Sequence, residues 1–192
     1  GNLDTLEVLS KICWWGHLIM VFIFLDYLPY SKHLHILFAF PNTYFSNLDA
    51  KGKFSNMESV ENEVKLMLDP NADPYAAPAK DAAPQRFGAK DVQDLTWKQL
   101  LEAYSCTECG RCSSVCPANQ TGKLLSPRKI MMDTRDRLSE VGNNKMNLED
   151  GKSLLGDYIT PEELWACTSC NACVQECPVN IDPLSIIVDL RR

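Results

Sequence analysis

Apolar positions crowd the first quarter of the chain and thin out after it. From Ile12 to Leu25 there are 14 residues without a formal charge, and between Lys11 and Asp49 the only charges are Asp26 and Lys32. A bilayer-spanning helix needs roughly 18 or more such residues. If Asp26 and Lys32 are tolerated, the run extends to Phe40, and Trp14, Trp15, Tyr27, Tyr30 and Tyr44 flank it as interfacial aromatics do. No other segment could bury so much apolar surface. Residues 1–48 are therefore expected to form a transmembrane helix segment, and the alternative is a core helix of a soluble domain. There is no basic n-region and no small-residue cleavage site, which excludes a secretory signal.

The pattern then changes twice. Met57 to Leu68 places Val60, Val64 and Leu68 at helical spacing, which predicts a short amphipathic helix packed on a neighbour. Asp69 to Ala89 carries Pro70, Pro74, Pro78 and Pro84 among alanines; prolines so closely spaced forbid a helix and predict a flexible, extended linker. Residues 49–92 are thus a helix plus linker. From residue 93 to 192 helical signals return. Thr96 precedes an apolar–polar helical stretch, while Ser126-Pro127 and Thr160-Pro161-Glu162-Glu163 are helix starts with a capping hydroxyl and a first-turn proline. No strand alternation is convincing, so the expected class is mainly α. The chain opens on Gly1 and ends on what reads as the middle of a helix, so we expect a stretch of a longer polypeptide.

A net charge of −6 with no lysine- or arginine-rich run excludes a nucleic-acid partner. The cysteines change the picture more. Eight of the nine fall into two groups of identical spacing: Cys106-x-x-Cys109-x-x-Cys112-x-x-x-Cys116-Pro117 and Cys167-x-x-Cys170-x-x-Cys173-x-x-x-Cys177-Pro178. This is the ligand run of bacterial [4Fe–4S] ferredoxins. Three thiolates spaced by two residues wrap one cluster in a tight turn. The fourth points away and, in two-cluster proteins, ligates the other cluster. The expected ligand sets are therefore Cys106, Cys109, Cys112 and Cys177 for one cluster, and Cys167, Cys170, Cys173 and Cys116 for the second. Zinc sites do not require this repeat, and a disulfide scaffold scatters its cysteines. Free thiolates imply a reducing compartment. Full cysteine ligation leaves no open iron for substrate, so the expected role is electron transfer, with no catalytic residue in this stretch.

Other residues attract weaker expectations. Arg111, Lys123, Arg128 and Lys129 lie near the motifs and are expected to be solvated; the alternative is that they tune the clusters by charge. Cys13 is expected to be an inert buried thiol. All three histidines lie in the apolar region, where an ionisable residue points to function. On one continuous helix His17 and His35, 18 residues apart, fall on the same face and His33 nearly opposite. His17 and His35 are then candidate b-haem ligands, unless Pro29 kinks the helix.

Fifty residues separate Cys116 from Cys167 and hold two capped helices. Residues 93–192 in this respect resemble the α-helical ferredoxin domain of succinate dehydrogenase and fumarate reductase iron–sulfur subunits. They resemble still more the C-type subunits of heterodisulfide reductase and of anaerobic glycerol-3-phosphate dehydrogenase. Trp14-Trp15-Gly16-His17 and Pro29-Tyr30-Ser31-Lys32-His33-Leu34-His35-Ile36 resemble the last haem-binding helix of the respiratory nitrate reductase gamma-subunit family. Together these resemblances imply a membrane-bound heterodisulfide reductase-like iron–sulfur oxidoreductase, with residues 1–48 ending a cytochrome b-like bundle. They imply a place in the cytoplasmic membrane with the ferredoxin domain facing the cytoplasm, and haem partner ligands on helices outside this stretch. Electrons would pass between a quinone pool, through haem b, and a redox partner protein or downstream CCG domains. The competing reading is a soluble electron-transfer protein docking a separate membrane partner. A third is a metal-stabilised interaction module without redox function.

Overall fold

Helix α1 (Asn2–Tyr27) has no buried residue along its whole length. With the turn that follows it, this helix is long and apolar enough to cross a membrane. At 1.5 Å per residue α1 is roughly 39 Å long, against a hydrocarbon core of about 30 Å. Each large apolar side chain left in water forgoes about 1.5–3 kcal/mol. An uncovered helix of this composition therefore needs lipid or neighbouring helices around it. The chain is described by a computed structural model over residues 2–31, 33–50, 52–68, 88–144 and 150–192.

The apolar segment does not continue as one helix. Pro29 sits at the start of a 3₁₀ turn, Leu28–Tyr30, and the chain re-enters a second helix, α2 (Leu34–Tyr44), after Ser31 has become extended. The physical cause is the missing N–H and fixed φ of proline. Helix α2 packs along α4 (Trp97–Ser105). Ring contacts join Phe38 to Tyr104 at 6.1 Å and Phe45 to Trp97 at 5.3 Å. The second half of the apolar region thus lies on the cysteine-bearing domain.

Helix α3 (Glu58–Leu68) forms where the spacing predicts. Val60, Val64, Met67 and Leu68 are exposed, so the expected packing partner is not found among the described residues. Residues 69–87, nearly all of the predicted linker, lie outside them.

The described residues resume at Gly88, ahead of residue 93. A 3₁₀ turn (Val92–Asp94) leads to α4. There follow α5 (Arg111–Ser114), α6 (Pro117–Gln120), the long α7 (Pro127–Asn143), an irregular turn over Leu154–Tyr158, α8 (Pro161–Trp165), α9 (Ala172–Gln175) and α10 (Pro183–Arg191). Among the described residues there is no strand, only an isolated bridge between Leu155 and Ile159. The predicted starts hold. Thr96 and Thr160 close capping boxes with Gln99 and Glu163, and Ser126 accepts from the Lys129 N–H. Each cap is worth about 1 kcal/mol. Leu125, Ile130, Leu154, Ile159, Ile186 and Ile187 are wholly inaccessible and form the centre between α7, α8 and α10.

Candidate metal centre

The two cysteine motifs repeat each other in backbone conformation. Glu108 and Ser169, each two residues after a first cysteine, have φ of 58° and 55°. Gly110 and Asn171, each before a short helix, have φ of 81° and 60°. Left-handed residues are uncommon outside glycine and asparagine. Alternating them with right-handed ones makes a concave nest of inward N–H groups suited to an anion. The donors are in place: the Ser169 N–H lies 3.4 Å from Cys167 Sγ, and the Glu108 N–H bonds the Cys106 thiol in the equivalent position.

Two cavities follow from these turns. The first is lined by Cys106, Cys109, Cys112 and Cys177, and also by Cys173. The second is lined by Cys116, Cys167, Cys170 and Cys173. Each cavity thus takes three cysteines of one motif and the last cysteine of the other. Pro117 begins α6 directly after Cys116, and Pro178 follows Cys177. The Ile181 N–H donates to Cys177 Sγ at 3.3 Å.

Burial sets the acidity of these thiols. It raises Cys106, Cys112 and Cys167 above the usual range and pushes Cys173 up to about 12. The more open Cys109 is lowered, first by the Arg111 N–H. Metal loading must therefore displace protons from most of the set, which couples assembly to pH. Thiolates in quantity, inward N–H groups and a low-polarity wall fit an anionic iron–sulfur cluster. Among the described residues no three His, Cys, Asp or Glu side chains converge on a point that could hold one metal ion.

Residues 102–181 match the profile described as 4Fe-4S dicluster domain, and a second profile of the same description matches 66–121. The chain is 32% identical over 218 residues to the "Probable iron-sulfur-binding oxidoreductase FadF" of Bacillus subtilis, covering 96% of this chain and 28% of that protein. It is 29% identical to the "EtfAB:quinone oxidoreductase" of Syntrophomonas wolfei, over 100% of this chain and 27% of that protein. The "Probable membrane-anchored ferredoxin" of Chromohalobacter salexigens is 36% identical, over 58% of this chain and 19% of its own length. The C-type and D-type subunits of heterodisulfide reductases are further relatives, in line with the resemblance carried by the cysteine motifs. The chain spans little more than a quarter of the first two relatives. No solved structure matches it.

The basic residues around the dicluster domain do not share one fate. Arg111 and Arg128 line the first cavity. Lys129, expected to be solvated, is tied to Asp133 and Glu163, each at 2.8 Å, and to the Tyr158 carbonyl. Sequence reasoning missed Arg191. It donates to the carbonyls of Leu164 and Cys167 and lies 5.1 Å over the Trp165 ring. A lone arginine at a helix end carries no signal that it folds back onto a cysteine.

The histidines do not lie on one continuous helix. His17 lies on α1 and His35 on α2, so the Leu28–His33 break removes the shared face that one continuous helix would provide. The rings of His33 and His35 are 6.4 Å apart. His35, Ser31 and Leu34 line a pocket of about 220 Å³ with Tyr104, Glu108, Arg135 and Cys106. Cys13, expected to be buried, is exposed on α1, which has no buried residue.

Proposed function

We propose that this chain carries electrons through two [4Fe–4S] clusters, between a redox group in the membrane and a soluble partner or further domain of the same protein. The observation that carries this reading is the pair of cysteine-lined cavities meeting at Cys173. Cys106, Cys109, Cys112 and Cys177 hold one cluster; Cys167, Cys170, Cys173 and Cys116 hold the other. The presence of Cys177 among the first three thiols, and of Cys116 among the second, supports the crossing. Four cysteines lining each cavity, with no single-ion convergence among the described residues, favour clusters over zinc, whose four ligands meet at about 2.3 Å from one point. Bound clusters supply reversible one-electron steps. The chain holds the thiolates, aims N–H groups at the sulfurs and keeps the two cavities adjacent.

The membrane side is the α1 end. Helix α1 has the length to span, and one relative is named a membrane-anchored ferredoxin, another a quinone oxidoreductase. His17 and His35 are candidate axial ligands for b haems completed by helices elsewhere, and a quinone is the pool beyond them. The pocket shared by His35 and Cys106 supports exchange at the first cluster. Helix α2, packed on α4, favours an anchor in the same chain over a soluble protein that docks. Thiols that must stay reduced support a dicluster domain on the cytoplasmic face.

Electron paramagnetic resonance of the intact, anaerobically purified and reduced protein tests the reading. Two interacting [4Fe–4S] signals are expected, and a diamagnetic zinc protein would sink it.

A further inference from the structure

Asn42 is the one amide side chain of α2 and it is wholly buried. An amide inside an apolar helix costs free energy unless both ends are satisfied, and both are. Its Nδ2 donates to the Val179 carbonyl at 2.7 Å, across 137 residues of sequence. Its Oδ1 accepts from Lys98 Nζ, also at 2.7 Å.

Val179 belongs to the turn that holds Cys177. In that turn the Asn180 N–H bonds the Cys177 carbonyl at 3.3 Å. Asn180 itself is left-handed, at φ 55°. The Ile181 N–H then reaches back to Cys177 Sγ. Asparagine tolerates this left-handed turn better than most residues, and its neighbours fix the turn further. Asn42 grips the carbonyl immediately before Asn180. On the far side the Asp182 N–H is held by Glu102, whose other oxygen pairs with Lys98. The turn is therefore clamped through Asn42 from the helix that follows the membrane segment.

We propose that Asn42 is a positioning residue for the Cys177 thiolate, so that its hydrogen bond to the Val179 carbonyl sets the reduction potential of the cluster Cys177 holds. The proposal rests on the ligand assignment above. Hydrogen bonds to cluster sulfurs are a main determinant of potential. A donor aimed at sulfur stabilises the more negative, reduced state and raises the potential. Loosening the turn weakens the Ile181 N–H···S bond and lowers it. Asn42 touches no thiol; it acts through the backbone.

The test is a redox titration of the intact protein, followed by electron paramagnetic resonance, with Asn42→Leu, Asn42→Asp and a Phe45→Leu control. Neither Asn42 variant can donate to Val179. Leucine adds no charge, and aspartate keeps the Lys98 pairing where leucine is not tolerated. Expected is a negative shift in the midpoint of the Cys106/Cys109/Cys112/Cys177 cluster, in whichever Asn42 variant assembles, with the second midpoint unmoved. Phe45→Leu, which loosens α2 away from the turn, leaves both midpoints in place. An unmoved first midpoint, an equal shift in both clusters, or an equal effect of Phe45→Leu overturns the proposal. Absence of two [4Fe–4S] signals in the unmodified protein instead sinks the ligand assignment.

Discussion

Arg137 donates from Nε and Nη2 to the two carboxylate oxygens of Asp91, at 3.0 and 2.8 Å, across 46 residues of sequence. The guanidinium is inaccessible to water yet shallow, covered by the segment 150–153. It also bonds Asp150 at 2.5 Å and the Lys152 carbonyl at 2.9 Å. Asp91 in turn accepts the N–H groups of Val92 and Leu154. One side chain of α7 thereby ties down the entry to the dicluster domain and the segment that returns from its long helical connection.

Removing one partner of such a pair leaves a buried charge uncompensated, at a cost of about 3 kcal/mol. Asp91→Ala is expected to lose about that much, while the double variant Asp91→Ala/Arg137→Met, which removes both charges of the pair, costs less. Urea denaturation followed by circular dichroism compares the two. Equal losses would contradict this account.

The same contacts predict a pH dependence. The bonds from Arg137 hold Asp150 down to about 2. Burial opposes ionisation of Asp91, but its bonds from Arg137 and the Val92 N–H outweigh that, so its carboxyl is also lowered. Lowered carboxyls add stability that is complete above the unfolded value near 4 and is lost as pH falls through the folded value. The Asp150 share is therefore expected to vanish between about pH 4 and about pH 2. The loss is much smaller in Arg137→Met. Denaturation midpoints measured across that window check it.

Cys116→Ser is expected to damage the cluster of Cys167, Cys170 and Cys173 and spare the other. Cys177→Ser does the reverse. Iron content together with the resonance spectrum reads which cluster survives. Loss, in each variant, of the cluster built on the substituted cysteine's own motif would refute the crossed assignment.

Arg191→Met removes a positive charge that favours the Cys167 thiolate and two donors to the carbonyls of Leu164 and Cys167. A nearby cation favours the reduced cluster. The second midpoint is expected to move negative in this variant with the first unchanged.

His17→Ala in the intact, membrane-bound protein is expected to abolish a b-type haem band. An unaltered visible spectrum would remove His17 from the ligands of any haem.

Much was legible along the chain for reasons that are local. Thr96, Ser126 and Thr160 announce helices because a cap satisfies N–H groups two or three residues away. The histidine geometry was less legible. A count of about 100° per residue holds only on an unbroken helix, and Pro29 breaks this one. Asn42, Arg137 and Arg191 were not legible at all. The partners named above lie 13 to 137 residues away, and nothing in their neighbours in sequence encodes those meetings.

The sequence by itself determined the chemistry: two repeats of four cysteines, each ending in proline, and helices long enough to separate them. It did so because ligand spacing and helix starts are short-range properties. Only the tertiary structure decided that α2 leaves the apolar segment to pack on α4, that Arg191 folds back onto the Cys167 carbonyl, and that Asn42 meets Val179. Those are long-range matters of how buried polar groups find partners once the apolar faces have closed.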